Sequence, residues 1–499
     1  MLQKLRCLES ILQPINRLPK DTLTLIPRFF TNEEWAHDTF PMNKPLITMT
    51  HVCRSWRNTL LSTPSLWTQI DFSTSNSKQA KGFLGRSGKQ LLDVYQFFES
   101  EDDVEPFLST TLRNMYRLRR LDIASFLLYL EPVLTRFTGP APELTHLRIA
   151  NEPDTTDRDM KLPSTIFKVQ LPKLESLSLA YVHSNLRGFN FPSLTWFDFT
   201  TGTSISVRDL TSFFERCPSL ESIEINLSYA PQPPIPPPHK RVRLAALKKL
   251  KLDQTASTSG LLDHLILPNY VEVMLRGQFT GEKFDCRGGP AAQIHPSSVN
   301  HISAMKGITK AAAMPNSCIF SGPNGYLRFW CFQENRKSFD AEFFTSFSPI
   351  SVSEIRELLV GTNAESYFGA RRKPWTPDAA RVRGAFTVLK KVEDLTILGC
   401  KTAPFFVTLG ATVDNRLLLP GLRRLTIYVG YGDLDLPALI RCAKARLERS
   451  RQLGEVTIVF KEDPGADVMQ EVESLRELVG ELNCRIGATP EVEWEKWRW

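Results

Sequence analysis

The chain has 499 residues, with 61 Lys and Arg against 54 Asp and Glu for a net charge of +7, and it is 42% hydrophobic and 23% charged. One ordinary domain takes roughly 100 to 200 residues, so two or three domains or an extended repeat array are expected, and a single compact barrel is not. The composition is globular rather than disordered, and the charge is below that of a dedicated nucleic-acid binder.

Residues 455 to 499 hold eleven acids and five bases, net −6, which against the whole-chain +7 leaves +13 on the remaining 454 residues. An acidic C-terminal helix beside a mildly basic body is expected. Nine cysteines run from Cys7 to Cys484 without a C-x-x-C pair, a pattern of reduced thiols packed in a core rather than a disulfide framework. No apolar run approaches the eighteen or so residues of a membrane span, and the start MLQKLRCLESILQ has no signal-peptide core. A soluble protein of the cytoplasm or nucleus is expected, without a membrane partner.

Leu5, Leu8 and Leu12 precede Pro14 at helical spacing, so residues 1–14 read as the end of an N-terminal helix. In PINRLPKDTLTLIPRFF, Pro19 stands where a helix begins and Pro27 where it should end or kink early. Ile47, Met49, Val52, Trp56 and Leu60 then describe one helical stripe ending before Pro64, and Leu66, Trp67, Ile70 and Phe72 close the unit through a turn and a short extended segment. The result is a small all-helical module over residues 15–72, near the lower size limit of a core that stands alone.

INRLP followed by VCRSWRNTLLSTPSLWTQIDF resembles an F-box domain, particularly the form abundant in mushroom-forming fungi. The resemblance implies a helical hook that docks on the Skp-type adaptor of a cullin–RING ubiquitin ligase. The adaptor-facing positions it implies are Leu18, Pro19, Leu23, Ile26 and Phe29, then Val52, Cys53, Trp56, Leu66 and Trp67. Two features depart from the family pattern: Lys20-Asp21 follows the Leu-Pro pair where an early acid is usual, and Pro27 interrupts the first helix.

Residues 73–110 read as a connection and first repeat cap, with 73–90 rich in Ser, Lys and Gly. GFLGRSGK in this stretch is not a phosphate loop, because Phe83 and Gln90 occupy the positions of the required glycine and hydroxyl residue. Beyond residue 110 the phrase P-x-L-x-x-L-x-Φ recurs, Φ being Leu, Ile or Phe: PELTHLRI (142–149), PKLESLSL (172–179), PSLTWFDF (192–199) and PSLESIEI (218–225). Looser copies are RLRRLDI (117–123), ALKKLKL (246–252), PNYVEVML (268–275), KVEDLTI (391–397) and PGLRRLTI (420–427). The anchors Leu118, Leu144, Leu174, Leu194, Leu220 and Leu247 are 26, 30, 20, 26 and 27 residues apart. Leucine-rich repeats take about 20 to 29 residues.

Each phrase supplies one short strand with its last two apolar residues in a shared core. DLTSFFERC (209–217), VSEIRELLV (352–360) and LPALIRCAKARLE (436–448) have helical periodicity suited to the return segments. The expected fold is therefore α/β: the helical module followed by an irregular leucine-rich-repeat solenoid over 111–460, a curved sheet with helices and loops on its convex side. The period blurs over 277–388, where irregular repeats or an inserted excursion are expected. Val468, Val472, Leu475, Val479 and Leu482 form one stripe, so 461–499 reads as an acidic capping helix and tail. The segments from LGATVDNRLLLPGLRRLTI onward are similar to the C-terminal part of fungal F-box/leucine-rich-repeat proteins.

Strand alternation places His146, Arg148, Trp196, Asp198, Glu224, Asn226, Lys249, Lys251, Met274, Arg276, Arg424 and Tyr428 on the open face, a mixed surface suited to capturing a protein target. The proline tract 231–238 reads as an inter-repeat loop, and the basic stretches 239–251, 371–375 and 441–451 as solvated faces. No zinc-spaced Cys/His set, serine elbow or activated cysteine is visible, so no catalytic centre, metal or cofactor is expected. The sequence thus reads as a non-enzymatic substrate receptor that holds the adaptor, and through it a cullin, at its front and an unidentified protein target behind. The alternatives are a leucine-rich scaffold or inhibitor without a ligase role, and a nucleic-acid-associated protein.

Overall fold

The computed structural model describes residues 18–30, 43–73, 77–125, 130–151, 160–163, 166–169, 171–183, 186–201, 205–227, 240–253, 261–278, 306–314, 317–332, 352–361, 377–413, 415–429 and 434–487. The chain is a mixed α/β protein with mostly parallel strands, divided into two compact units, Met1–Pro231 and Gln232–Trp499. Among the described residues no helix is long and apolar enough to cross a membrane. Residues 1–14 and the proline tract lie outside the described residues.

The first unit opens with helix α1 (Lys20–Phe30). It runs three residues past Pro27 instead of ending there: Pro27 is buried, and packing of its ring offsets the one hydrogen bond its missing N–H forgoes. The stripe expected as one helix is two, α2 (Asn43–Met49) and α3 (Arg54–Leu61). Thr50 closes the first, its hydroxyl donating to Ile47 O at 2.6 Å. Cys53 restarts the second from an extended backbone, its Sγ accepting the Trp56 N–H at 3.5 Å as an N-cap. A β-branched, hydroxylic and thiol-bearing run offers the backbone these local partners, so helical spacing of apolar residues does not carry across it.

A 3-10 turn (Pro64–Leu66) leads into strand β1 (Gln69–Asp71), followed by helix α4 (Ser77–Ser87) where the sequence reads as a connection. Ala80, Phe83 and Ser87 are buried on its inner face. The N-terminal helices are therefore continuous with the sheet that follows: the Trp67 ring stacks on Phe83 of α4 at 5.3 Å, and Arg86 lies over it at 4.8 Å.

The ladder of this unit continues with β2 (Leu92–Phe98), β3 (Leu118–Ser125), β4 (His146–Asn151), β5 (Ser176–Ala180), β6 (Trp196–Thr201) and β7 (Ser222–Leu227). β1 to β7 pair parallel in chain order. Register aligns Val94, Leu121, Leu147, Leu177, Phe197 and Ile223 in one apolar row, and Ile123, Ile149, Leu179, Phe199 and Ile225 in the next. These rows are buried under the return elements, which include α5 (Val104–Thr111), α6 (Leu130–Thr135) and α7 (Val207–Glu215). Phe98, Phe107, Phe137 and Phe167 form a chain of ring contacts from one repeat to the next, with centroids 5.3 to 6.2 Å apart.

The recurring P-x-L has a local cause. In each full copy the leucine N–H bonds to the carbonyl three residues back: Leu144 to Ala141, Leu174 to Leu171, Leu194 to Phe191 and Leu220 to Cys217, at 3.1 to 3.3 Å. Proline thus occupies the second position of a β-turn, where its fixed φ is already correct and its missing N–H is not needed. Successive turns are tied together: Ser193 Oγ donates to Pro172 O at 3.0 Å, Ser219 Oγ to Pro192 O at 2.8 Å, and Lys173 Nζ pairs with Glu143 at 2.7 Å.

The second unit carries β8 (Lys249–Asp253), β9 (Val271–Gln278), β10 (Lys310–Met314), β11 (Ser317–Gly322), β12 (Gly325–Phe332) and β13 (Glu357–Gly361). Their spatial order is β8-β9-β12-β11-β10-β13, with β11 antiparallel to both β10 and β12 and the other pairings parallel. The blurred period over 277–388 thus contains a strand reversal: a hairpin run cannot keep the phrase of a one-way ladder. VSEIRELLV, expected as a helix, is a 3-10 turn (Val352–Glu354) and then β13.

Beyond β13 the alternation of helix and parallel strand resumes with α8 (Ala379–Val388), β14 (Asp394–Leu398), α9 (Ala403–Gly410), β15 (Arg424–Val429), α10 (Leu436–Leu447), β16 (Glu455–Phe460), α11 (Ala466–Glu473) and β17 (Glu481–Ile486). The C-terminal stripe expected as one capping helix is α11 followed by a strand. Val472, Leu475 and Val479 are buried, but Val468 is exposed and Leu482 belongs to β17. Gly480 permits the change of direction, since a Cβ there would stand 2.5 Å from Gly454 O.

Gly361 is the tightest glycine. Its φ is +149°, and a Cβ would fall 1.7 Å from Leu398 O on the neighbouring strand. Gly361→Ala is expected to destabilise the second unit by about 3 kcal/mol or more, read as a lower urea midpoint at unchanged slope.

Candidate functional site

The adaptor-facing positions separate into core and surface. Leu23, Trp56, Leu66 and Trp67 are buried within the first unit, and the Trp67 indole N–H donates to Leu60 O at 2.8 Å. Expected as contacts, these four present little area to a partner in this arrangement, and the Trp56 indole N–H is buried without a hydrogen-bond partner among the described residues. The surface positions are Val52, 56% exposed, the exposed Pro19, and the partly exposed Leu18, Ile26 and Cys53. Phe29 lies on α1, but its side chain is outside the description. Leu25, not singled out from sequence, is 48% exposed on α1.

On the polar face of the first unit, register builds three rows. The first runs Asp93, Arg120, His146, Ser176, Trp196, Ser222; the second Tyr95, Asp122, Arg148, Ser178, Asp198, Glu224; the third ends Ala150, Ala180, Thr200, Asn226. The expected residues of β4, β6 and β7 therefore share one face. Arg148 Nη1 donates to Asp122 Oδ1 at 3.0 Å, Ser178 Oγ to Asp198 Oδ2 at 2.8 Å, and Arg119 Nε to the buried Asp93 at 2.8 Å. Burial lifts the Asp122 carboxyl above its ordinary range against the pull of Arg148. Burial likewise pushes the Tyr95 phenol up to about 12, although Arg120 donates to its oxygen at 3.3 Å. Trp196 stands half-buried between Ser176 and Ser222, a large flat side chain with low neighbours. Such a residue offers contact area at little cost in side-chain entropy.

Sequence reasoning missed Asp93, Tyr95, Arg120 and Asp122. For Asp93 and Tyr95 the reason is local: LLDVYQFF carries no P-x-L turn and is buried almost throughout, so neither the phrase nor an alternation marked β2 as part of the ladder, whereas Arg120 and Asp122 lie on β3, within the loose copy RLRRLDI, which also lacks the turn proline.

In the second unit, Lys249, Glu272 and Tyr326 lie in one row, and Lys251, Met274 and Arg328 in the next. Met274, expected on the open face, is only 3% exposed. Its row continues through the buried Ile319 of the reversed strand β11 and Ala312 of β10, so this part of the sheet is covered on both sides. The Arg276 side chain is outside the description. Glu272 accepts a hydrogen bond from Tyr326, and burial raises its carboxyl above the usual range. Farther along, Arg424 Nε donates to Asp394 Oδ1 at 2.6 Å, and this pairing raises the guanidinium pKa. Tyr428 is half-buried one row away from Thr426.

Arg148 with Asp122, Arg119 with Asp93 and Arg424 with Asp394 are ion pairs on these faces, and no three His, Cys, Asp or Glu side chains converge on a metal position among the described residues. Burial pushes the thiols of Cys217 and Cys442 up to about 11 and that of Cys400 to about 12, which suppresses the nucleophilic thiolate. No protein-family model matches the chain, and no curated protein matches it.

Proposed function

We propose that the chain is the substrate-recognition subunit of an SCF-type cullin–RING ubiquitin ligase. In this reading the helical module is an F-box that holds a Skp-type adaptor, and the parallel ladder is an irregular leucine-rich array that captures a protein target in the cytoplasm or nucleus. The observation that carries it is the pairing of a polar, Trp196-bearing strand face with a helical front that leaves Leu25 and Val52 in solvent. The protein performs no chemistry of its own. Holding target and transfer machinery on one body turns a bimolecular encounter into an effectively intramolecular one.

Deleting residues 1–72 is a poor test, because Trp67 and Ile70 are part of the first unit's core. The surface variants Leu25→Asp and Val52→Asp are expected to leave the far-UV spectrum unchanged and to reduce capture by an immobilised Skp-type adaptor at least about tenfold. Absence of adaptor capture by the unaltered chain ends the ligase reading. Retained target binding without adaptor binding selects the scaffold or inhibitor.

A further inference from the structure

Among the described residues, the last strand of the second unit forms an edge of the sheet. Among the described residues β17 pairs with β16 alone, in parallel. Glu481 N–H bonds to Gly454 O at 2.8 Å and Gly487 N–H to Phe460 O at 3.0 Å, so the odd-numbered residues direct their backbone groups at β16. By alternation, the N–H and C=O groups of Leu482, Cys484 and Ile486 point away from the sheet. An edge of this length with unpaired groups is a template for another strand.

The side chains of this edge are complementary to themselves. Glu481, Asn483 and Arg485 share the polar face, with an acid at one end, a base at the other and an amide midway. Asn483 Nδ2 donates to Glu481 at 3.0 Å and to Glu455 at 3.4 Å, while Arg485 is exposed with no ion-pair partner among the described residues. We propose that β17 is a self-association surface, at which a second copy of this chain adds its own β17 antiparallel about a two-fold axis through Asn483.

This register sets Glu481 opposite Arg485 twice. It also pairs Leu482 with Cys484 twice, so the outward N–H and C=O groups of these two residues bond to each other. Ile486, 62% exposed, lands opposite Gly480 of the other copy, which has no side chain to obstruct it. Shifting the register by one residue would set the polar face of one strand against the core face of the other, and shifting it by two would lose both charge pairs. A two-fold pairing of this kind closes on itself and leaves no edge at the joint for further growth.

Sedimentation velocity of the full chain over a wide concentration range is expected to show a reversible monomer–dimer equilibrium. Glu481→Arg and Arg485→Glu should each weaken self-association about tenfold or more, since each places two like-charge pairs across the joint, and the double reversal should restore it. Asn483→Cys should give a disulfide-linked dimer under mild oxidant, with the crosslink mapped to position 483 in both copies, because a directly opposed pair without mutual hydrogen bonds brings its side chains closest. A monomer at every concentration, a dimer indifferent to both reversals, a double reversal that stays monomeric, or a dimer without the 483 crosslink overturns the proposal.

Discussion

Trp67→Ala is expected to cost the first unit about 3–5 kcal/mol, the range for truncating a large aromatic in a packed core. Trp67 is 1% exposed, stacks on Phe83, lies beneath Arg86 and donates to Leu60 O at the end of α3. It therefore joins three elements that sequence alone leaves separate: α3, the turn into β1, and α4. Trp67→Phe keeps most of the packing and removes the shorter of two donors to the Leu60 carbonyl, which retains the Thr63 N–H at 3.3 Å, so a smaller loss of about 1 kcal/mol is expected. Hydrogen exchange of the full chain gives the readout, since a two-unit protein need not unfold in one step. Protection should fall first in α3, β1 and α4. Unchanged protection there would mean that the helical front does not depend on α4 for its core.

What the sequence made legible was the one-way ladder. Its signal is doubly local: proline at the second position of a turn, then alternation with a core face and a polar face, as in PSLTWFDF. Where either half is missing the reading fails for a physical reason. β2 has no turn proline, and its polar-face residues Asp93 and Tyr95 are themselves buried against partners, so alternation is masked. α4 contains Gly82 and Gly85 and looks like a connection, yet Phe83 and Ala80 anchor it. Met274 has the spacing of an open-face residue, but its row runs on into β11 and β10, and the reversal of β11 is something no single-strand pattern reports. Among the implied docking residues, apolar character does not separate the buried Trp56 and Trp67 from the exposed Val52. That partition depends on tertiary neighbours.

The largest effect in the second unit is expected from Arg446→Ala, a loss of about 3–5 kcal/mol in urea unfolding. Arg446 is fully buried on α10 with no carboxylate partner among the described residues, and its guanidinium donates instead to carbonyls: Leu419 O at 2.9 Å, Leu418 O at 3.1 Å and Leu409 O at 3.4 Å. Leu409 lies in the last turn of α9, whose carbonyls have no intrahelical donors, and Leu419 holds a left-handed backbone with φ 47° that a branched side chain resists. One side chain thus caps a helix and pins a strained turn. The same arrangement recurs in the first unit, where Arg216 donates to Phe189 O and Leu186 O, and Arg117 to Gly88 O and Gln90 O. These arginines reach back 27 to 30 residues, the length of one repeat, so each fastens a repeat to its predecessor where the loops cannot bury their own carbonyls. Arg446→Lys keeps the charge but offers one compact ammonium to three spread acceptors, and should recover less than half of the loss. Full recovery by lysine would show that charge, not the planar fork, does the fastening.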